Sequence, residues 1–205
     1  MSEVAIVDYG MCNLDSIGRA VEECGGRPLV TENPDDLKTA SHIILPGVGA
    51  FPDGMKNLVE RGFDKVLNKE VIDNSVPFLG ICLGMQLMAR KSHEGGSTEG
   101  LGWIDGEVVK LEPYGEDTRI PHIAWNEVYP EGQPVLFENI EPGKDFYFVH
   151  SYHLVCDNEN QILATTPYAA GFVSAVGYDN IFGVQFHPEK SQKVGFQVLR
   201  NFLSL

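Results

Sequence analysis

Val76-Pro77-Phe78-Leu79-Gly80-Ile81-Cys82-Leu83-Gly84-Met85-Gln86 is the stretch that decides the fold. Val76 to Leu79 is a short apolar run suited to a buried strand, and the residues from Met85 to Ala89 predict a helix. Between them stands Gly80-Ile81-Cys82-Leu83-Gly84, the spacing of a nucleophile elbow with Cys in the place of Ser. So sharp a strand-to-helix turn strains the backbone of its central residue. It also leaves no room for Cβ atoms two residues to either side, which accounts for both glycines. The start of the helix sets free N–H groups and partial positive charge near the sulfur, favouring thiolate and holding an oxyanion. The plainer alternative for Cys82 is a buried, inert thiol in a glycine-bracketed turn.

Working outward, the first half alternates strand and helix. Val4-Ala5-Ile6-Val7 predicts a buried strand, and Leu14, Ile17, Gly18 and Val21 recur at helical spacing until Gly25-Gly26. Pro28-Leu29-Val30 predicts a second strand. Asn33 is placed to cap a helix that has Pro34 at its first position and Leu37 facing inward. Ile43-Ile44-Leu45 predicts a third strand, closed by Pro46-Gly47-Val48-Gly49, and helical segments follow across Met55 to Leu67 and onward to Ile72. Strands alternating with helices mean βαβ units and an open, mostly parallel sheet with helices on both faces. From Gly102 to about Tyr178 the pattern changes to strand-like runs broken by Gly, Pro and Asn, which predict antiparallel additions. These include Glu107 to Leu111, Phe146 to Val149 and Gly171 to Val176. Ile181 to Phe186 predicts a last buried strand and Val194 to Phe202 a closing amphipathic helix. No repeat or linker divides the chain, so residues 1–205 are read as one α/β domain.

Composition bounds what such a domain does. The 205 residues suffice for a substantial core without disulfide staples. A net charge of −14 argues against a nucleic-acid partner, whose binding surface would be basic. It leaves room for a small phosphorylated ligand at a local site. No apolar run approaches the ~20 residues of a bilayer helix, and the N-terminus lacks the basic and apolar regions of a signal peptide. Cys12, Cys24, Cys82 and Cys156 form no CxxC pair, so a reducing, cytoplasmic setting is expected.

A reactive thiol needs a base beside it. Among six histidines, His187 is singled out by position: it follows the strand Ile181 to Phe186 in Gln185-Phe186-His187-Pro188-Glu189-Lys190-Ser191. In an open α/β sheet the site lies beyond the carboxyl ends of the strands, where Cys82 and His187 both fall. Pro188 stiffens the turn, and Glu189 is placed to reach back and orient the imidazole. A strand-end histidine bonded to backbone is the plainer alternative. Gln86 lies four residues after Cys82, so on a helix it shares its face. Gly47-Val48-Gly49 predicts a loop whose backbone N–H groups approach a ligand closely. His150-Ser151-Tyr152-His153 has the look of a metal ligand set, but no carboxylate or Cys completes it; no metal and no cofactor are expected.

Together these pieces resemble the class I, triad-type glutamine amidotransferases. The match runs in order through Pro46-Gly47-Val48-Gly49, Gly80-Ile81-Cys82-Leu83-Gly84-Met85-Gln86 and Phe186-His187-Pro188-Glu189. Asp8 to Leu14, Pro121-His122-Ile123-Ala124-Trp125-Asn126, Phe148-Val149-His150-Ser151-Tyr152 and Lys190-Ser191 are similar to the glutaminase subunits of imidazole glycerol phosphate synthases. Met85 before Gln86, where many class I relatives carry His, narrows the match; Ala124 departs from an expected Gly, and the acidic stretch Glu112 to Thr118 has no counterpart role. The resemblance implies that Cys82 attacks the side-chain amide of glutamine, His187 relays the proton, and Glu189 sets the histidine tautomer. It implies an oxyanion hole from the Leu83 N–H and an N–H of the Gly47-Val48-Gly49 loop, and a glutamine pocket formed with Gln86, Ser151 and Tyr152. It further implies a heterodimer with a cyclase subunit built as a (β/α)₈ barrel. Ammonia would pass to that partner through a channel, with Asn13, Trp125 and Lys190 at the interface. Relatives of this kind are weak glutaminases until the partner binds its own substrate. For Trp125 alone, core packing is an equal alternative.

Three alternatives remain at this level. One is the same glutaminase serving another synthase, such as those making pyridoxal phosphate, anthranilate or GMP. Another is a Cys–His peptidase or related chaperone, which needs no Gln86. The last is a binding module with a vestigial elbow.

Overall fold

The computed structural model describes residues 2–115 and 119–205; part of the acidic stretch Glu112–Thr118 lies outside them. In chain order the elements are β1 (Glu3–Val7), α1 (Leu14–Glu23), β2 (Arg27–Thr31), β3 (His42–Gly47), α2 (Phe51–Glu60) and α3 (Phe63–Leu67). Next come β4 (Phe78–Cys82), α4 (Leu83–Leu87), β5 (Ala89–Ser92), β6 (Thr98–Glu99), β7 (Ile104–Lys110), β8 (His122–Pro130) and β9 (Lys144–His150). The chain closes with β10 (Tyr152–Cys156), β11 (Ile162–Thr166), β12 (Phe172–Tyr178), β13 (Ile181–Val184) and α5 (Gln192–Leu203).

A nine-stranded sheet in the order β2-β1-β3-β4-β13-β12-β11-β8-β9 organises the molecule. From β2 to β13 the pairing is parallel, and from β13 to β9 it is antiparallel. Side chains alternate across a strand, so the apolar runs of the parallel half feed two cores at once. Val4, Ile6, Ile44, Leu79 and Ile81 pack with Ile17 and Val21 of α1 and Val198, Leu199 and Phe202 of α5. Ala5, Val7, Ile43, Leu45 and Phe78 face the other way, onto Leu58, Phe63, Leu67 and Leu87 from α2, α3 and α4. With α1 and α2 on opposite faces, a crevice opens outside the carboxyl ends of β1 and β3, where ligands bind in such sheets.

The expected α/β sheet with antiparallel additions is therefore observed, with local corrections. The helical segments expected across Met55 to Leu67 and onward to Ile72 are observed, and their boundary has a cause: Gly62 takes φ +76°, a left-handed turn that ends α2, and Asn68–Asp73 continues α3 as a π-turn segment. The helix expected from Met85 to Ala89 is present but shifted: α4 runs Leu83–Leu87 and Ala89 already belongs to β5, because the tight elbow begins the helix immediately after Cys82. β13 stops at Val184, two residues short of Phe186, where the chain leaves the ladder to turn into the site. A second, four-stranded sheet, β10-β7-β5-β6, was not foreseen, and within it β5 and β7 run parallel. Asn33 caps as expected, its side chain accepting the Asp35 N–H at 3.2 Å, but the segment it starts, Pro34–Thr39, is 3₁₀.

Candidate active site

Register places three residues side by side at the carboxyl edge of the sheet. Gly47 pairs with Cys82 across β3 and β4, and Ile81 pairs with Val184 across β4 and β13, which sets Gln185 beside Cys82. Cys82 holds φ 53° and ψ −108°, a conformation seldom adopted away from sites where strain serves a function. The elbow glycines explain how the turn closes. A Cβ on Gly80 would lie 2.7 Å from the Gly84 carbonyl oxygen, and one on Gly84 would collide with the Leu45 carbonyl oxygen. Any side chain at either position forces backbone to move.

His187 reaches the same edge from the turn after β13. Its N–H donates to the Tyr147 carbonyl at 2.9 Å, and Ser191 Oγ donates to its carbonyl at 2.7 Å while accepting the Tyr147 N–H at 3.0 Å. These bonds tie β9, the last strand in the order, back to the turn beyond β13, so the antiparallel half curls over the site. The buried Nδ1–H of His187 donates to Glu189 Oε1 at 2.8 Å. Its Nε2 makes no hydrogen bond of good geometry. Burial disfavours charge on this ring, but the neighbouring Cys82 sulfur and the Glu189 carboxylate outweigh it and hold the His187 pKa up at about 10. An imidazole poised to keep a proton beside a thiolate is what a Cys–His pair requires.

In front of Cys82 lies a cavity of about 260 Å³ lined by Val48, Gly49, Cys82, Leu83, Gln86, Glu94, Pro121, Val149, His150, Ser151 and Tyr152. A larger cavity of about 850 Å³, between Pro130 and Pro142, contains no Cys or His and is separate from this edge. Size alone would pick the wrong one; the chemistry picks the smaller. Gln86 is buried, not solvated, and both its amide hydrogens are engaged, by the Tyr152 carbonyl at 2.8 Å and Gln185 Oε1 at 2.9 Å. Only its oxygen is free for a ligand. The Gly47-Val48-Gly49 loop borders Cys82, but the Val48 N–H donates to the Met11 carbonyl at 2.7 Å and so is not presented to the pocket.

The three residues expected at an interface fall on the surface. Trp125 is 45% exposed, which decides against core packing. It meets Tyr147 edge to face at 5.9 Å between centroids, and Lys190 Nζ sits 5.7 Å from the centroid of the same ring. Asn13 stands exposed at the N-terminal end of α1.

Sequence reading missed three features of the site. Glu94 is the one carboxylate lining the cavity among the described residues, its Oε2 accepting the Phe51 N–H at 2.8 Å at the start of α2. It comes from a polar loop, His93 to Gly100, in which nothing marks it. Gln185 was passed over as a strand residue. The third is a buried imidazole pair: His122 Nδ1 lies 3.0 Å from His150 Nε2, and His150 Nδ1 lies 3.0 Å from the Tyr152 carbonyl. Burial, with His122, His153 and His187 nearby, pushes the His150 pKa down to about 3.

Comparison with known proteins follows the same line. The model of the class I glutamine amidotransferases matches residues 5–204, and the chain belongs to that family. The imidazole glycerol phosphate synthase subunit HisH 1 of Campylobacter jejuni (strain RM1221) is 46% identical over 204 residues, 98% of this chain and 100% of the relative. The subunit HisH of Moorella thermoacetica is 46% identical over 202 residues, 98% and 94% of the two chains. Among solved structures, PurLQS from Thermotoga maritima superposes with a TM-score of 0.75 at 20% identity, covering 100% of this chain and 99% of that one. A glutamine amidotransferase of the same organism gives 0.73 at 16% identity, with 99% and 96% covered. At such identities these two structures speak for the fold.

Proposed function

We propose that this chain is the glutaminase subunit of an imidazole glycerol phosphate synthase, hydrolysing L-glutamine and supplying ammonia for histidine biosynthesis. The observation that carries the reading is the buried line Cys82–His187–Glu189 at the floor of a small cavity walled by Gln86 and Glu94. The whole chain, residues 1–205, acts as one domain of this kind.

The chemistry runs as acyl transfer. The Sγ proton of Cys82 moves to His187 Nε2, and the sulfur adds to the γ-carboxamide carbon. Glu189 fixes the tautomer that leaves Nε2 open and stabilises the imidazolium. The Leu83 N–H, at the start of α4, is one oxyanion donor; Val48 or Gly49 supplies the second. His187 returns its proton to the departing ammonia, and water, deprotonated by the same imidazole, hydrolyses the thioester to glutamate. Glu94 offers its carboxylate to the substrate ammonium, and Gln86 Oε1, Ser151 and Tyr152 complete the grip. Because the Val48 N–H is held by Met11, Val48 serves as that donor only if the loop turns. This suits a glutaminase that is slow until its partner is engaged.

The partner is a cyclase subunit with a (β/α)₈ barrel, forming a heterodimer over Trp125, Lys190 and Asn13 and receiving ammonia through a channel. With a net charge of −14, this chain leaves binding of the phosphorylated nucleotide to the partner and favours a basic docking patch there. No helix among the described residues is long and apolar enough to cross a membrane, and the cytoplasm is the proposed setting. To test the reading, glutamate release from glutamine is measured for the chain alone, with the cyclase, and with the cyclase and its nucleotide substrate. Release rising through that series and absent in Cys82→Ala is expected. No release in any mixture, or full release from Cys82→Ala, overturns it.

A further inference from the structure

One backbone carbonyl fixes the direction of every hydrogen bond behind the cavity. Tyr152 O only accepts, and it faces Gln86 Nε2 at 2.8 Å and His150 Nδ1 at 3.0 Å. Gln86 must therefore turn its nitrogen inward. That same nitrogen donates to Gln185 Oε1 at 2.9 Å, so Gln185 is left with its own nitrogen facing Cys82, 3.6 Å from Sγ. The two ends of a buried amide are otherwise indistinguishable by shape; here the carbonyl decides them in sequence. Gln185 is fully buried, and the β4–β13 register holds it next to the nucleophile.

We infer that Gln185 is a further catalytic residue: its amide N–H holds the Cys82 sulfur as thiolate, in an orientation set by Gln86. The inference rests on reading Cys82 as the nucleophile. In the thiol form the sulfur lies 3.8 Å from the Val149 carbonyl, toward which its S–H points. When that proton passes to His187 Nε2, the S–H bond breaks and its electron pair stays on sulfur. The carbonyl then opposes the new charge, and the Gln185 N–H offsets it, because a hydrogen bond strengthens when its acceptor becomes an anion. The chain Tyr152–Gln86–Gln185–Cys82 also joins the substrate cavity to the sulfur, so a ligand drawn to Gln86 Oε1 polarises the donor that faces the nucleophile.

The test is the pH dependence of Cys82 alkylation by iodoacetamide in the full chain, read by mass spectrometry of the Cys82 peptide. Gln185→Met removes the donor at similar length. Gln185→Glu keeps the shape and an oxygen toward Gln86. The titratable groups facing Cys82 are His187 after β13, Tyr9 after β1, and Glu94 and His150 around the cavity; neither substitution alters them. The midpoint of alkylation is expected to rise by about one pH unit in Gln185→Met, a tenfold loss of thiolate on the acid side, and at least as far in Gln185→Glu. With the partner present, kcat falls about tenfold in both while KM for glutamine changes less than about threefold. Should Gln185→Met melt well below the wild type, Gln185→Leu, which likewise removes the donor and adds no charge, carries the test. A folded variant with the wild-type midpoint overturns the role of Gln185 and leaves Cys82 as nucleophile. A wild-type Cys82 that is not alkylated at any pH overturns both.

Discussion

In the parallel half of the main sheet, Gly47, Cys82 and Gln185 are lined up by register at the ends of β3, β4 and β13. In the antiparallel half, Val149 and His150 approach the same cavity from β9, the last strand in the order. The first half sets its groups by strain and close backbone contact, with Cys82 at φ 53° and glycines where a Cβ would meet carbonyl oxygen. The second sets its groups by buried polar bonds between residues far apart in sequence, such as His122 to His150 and the Tyr147 N–H to Ser191 Oγ. One half presents the nucleophile. The other closes the pocket and carries the surface patch of Trp125 and Tyr147.

The division of labour can be broken in order of effect. His187→Asn is expected to lower glutamine turnover with the partner by about 10³-fold in a chain that still folds, since an amide cannot take the thiol proton. Turnover within about tenfold of wild type would remove His187 from the chemistry. Gly84→Ala sharpens the contrast in rigidity: a Cβ against the Leu45 carbonyl should cost about 3 kcal/mol in chemical denaturation. Gly132→Ala, between β8 and β9 at φ +70° with open space around it, should cost only about 1 kcal/mol. Equal losses would mean that the elbow is no tighter than a surface turn.

Trp125→Ala addresses the outer face of the antiparallel half. With the ring 45% exposed, the melting temperature should barely move, while affinity for the cyclase drops by about 2 kcal/mol, roughly thirtyfold, in titration calorimetry. The last contrast lies in pH dependence. The unfolded chain protonates His150 near its ordinary value of 6.5, whereas the folded chain resists until about 3. Its contribution to stability is therefore full above pH 6.5 and is lost as pH falls toward 3, by up to about 1.4 kcal/mol per unit. His42 and His153, also lowered by burial, act in the same direction. His187, raised to about 10, acts oppositely: its contribution is full below 6.5 and fades as pH rises toward 10. Urea unfolding from pH 7 to 4 should show the acid loss, reduced in His150→Gln.

The two halves also differ in how far the sequence exposes them. Apolar runs broken by glycine announce β1, β3 and β4, and the elbow motif marks Cys82, because parallel strands and their turns are written in adjacent residues. His187 and Glu189 were legible for the same reason: one short turn holds both. Gln185 was not, since its importance comes from lying opposite Cys82 rather than from its neighbours in sequence. Glu94 and the His122–His150 pair were hidden likewise, because only the long-range pairing of β8 with β9 and the packing of a polar loop on α2 bring them to the cavity. The short second sheet escaped notice because β5 and β6 carry charged residues, Arg90, Lys91 and Glu99, with little apolar alternation.

The most direct test is to quench the chain, mixed with its partner and saturating glutamine, and search the Cys82 peptide for a γ-glutamyl thioester by mass spectrometry. The adduct is expected on Cys82 in the wild type and absent in His187→Asn. Glutamate formed without an adduct at Cys82, and undiminished in Cys82→Ala, would contradict it.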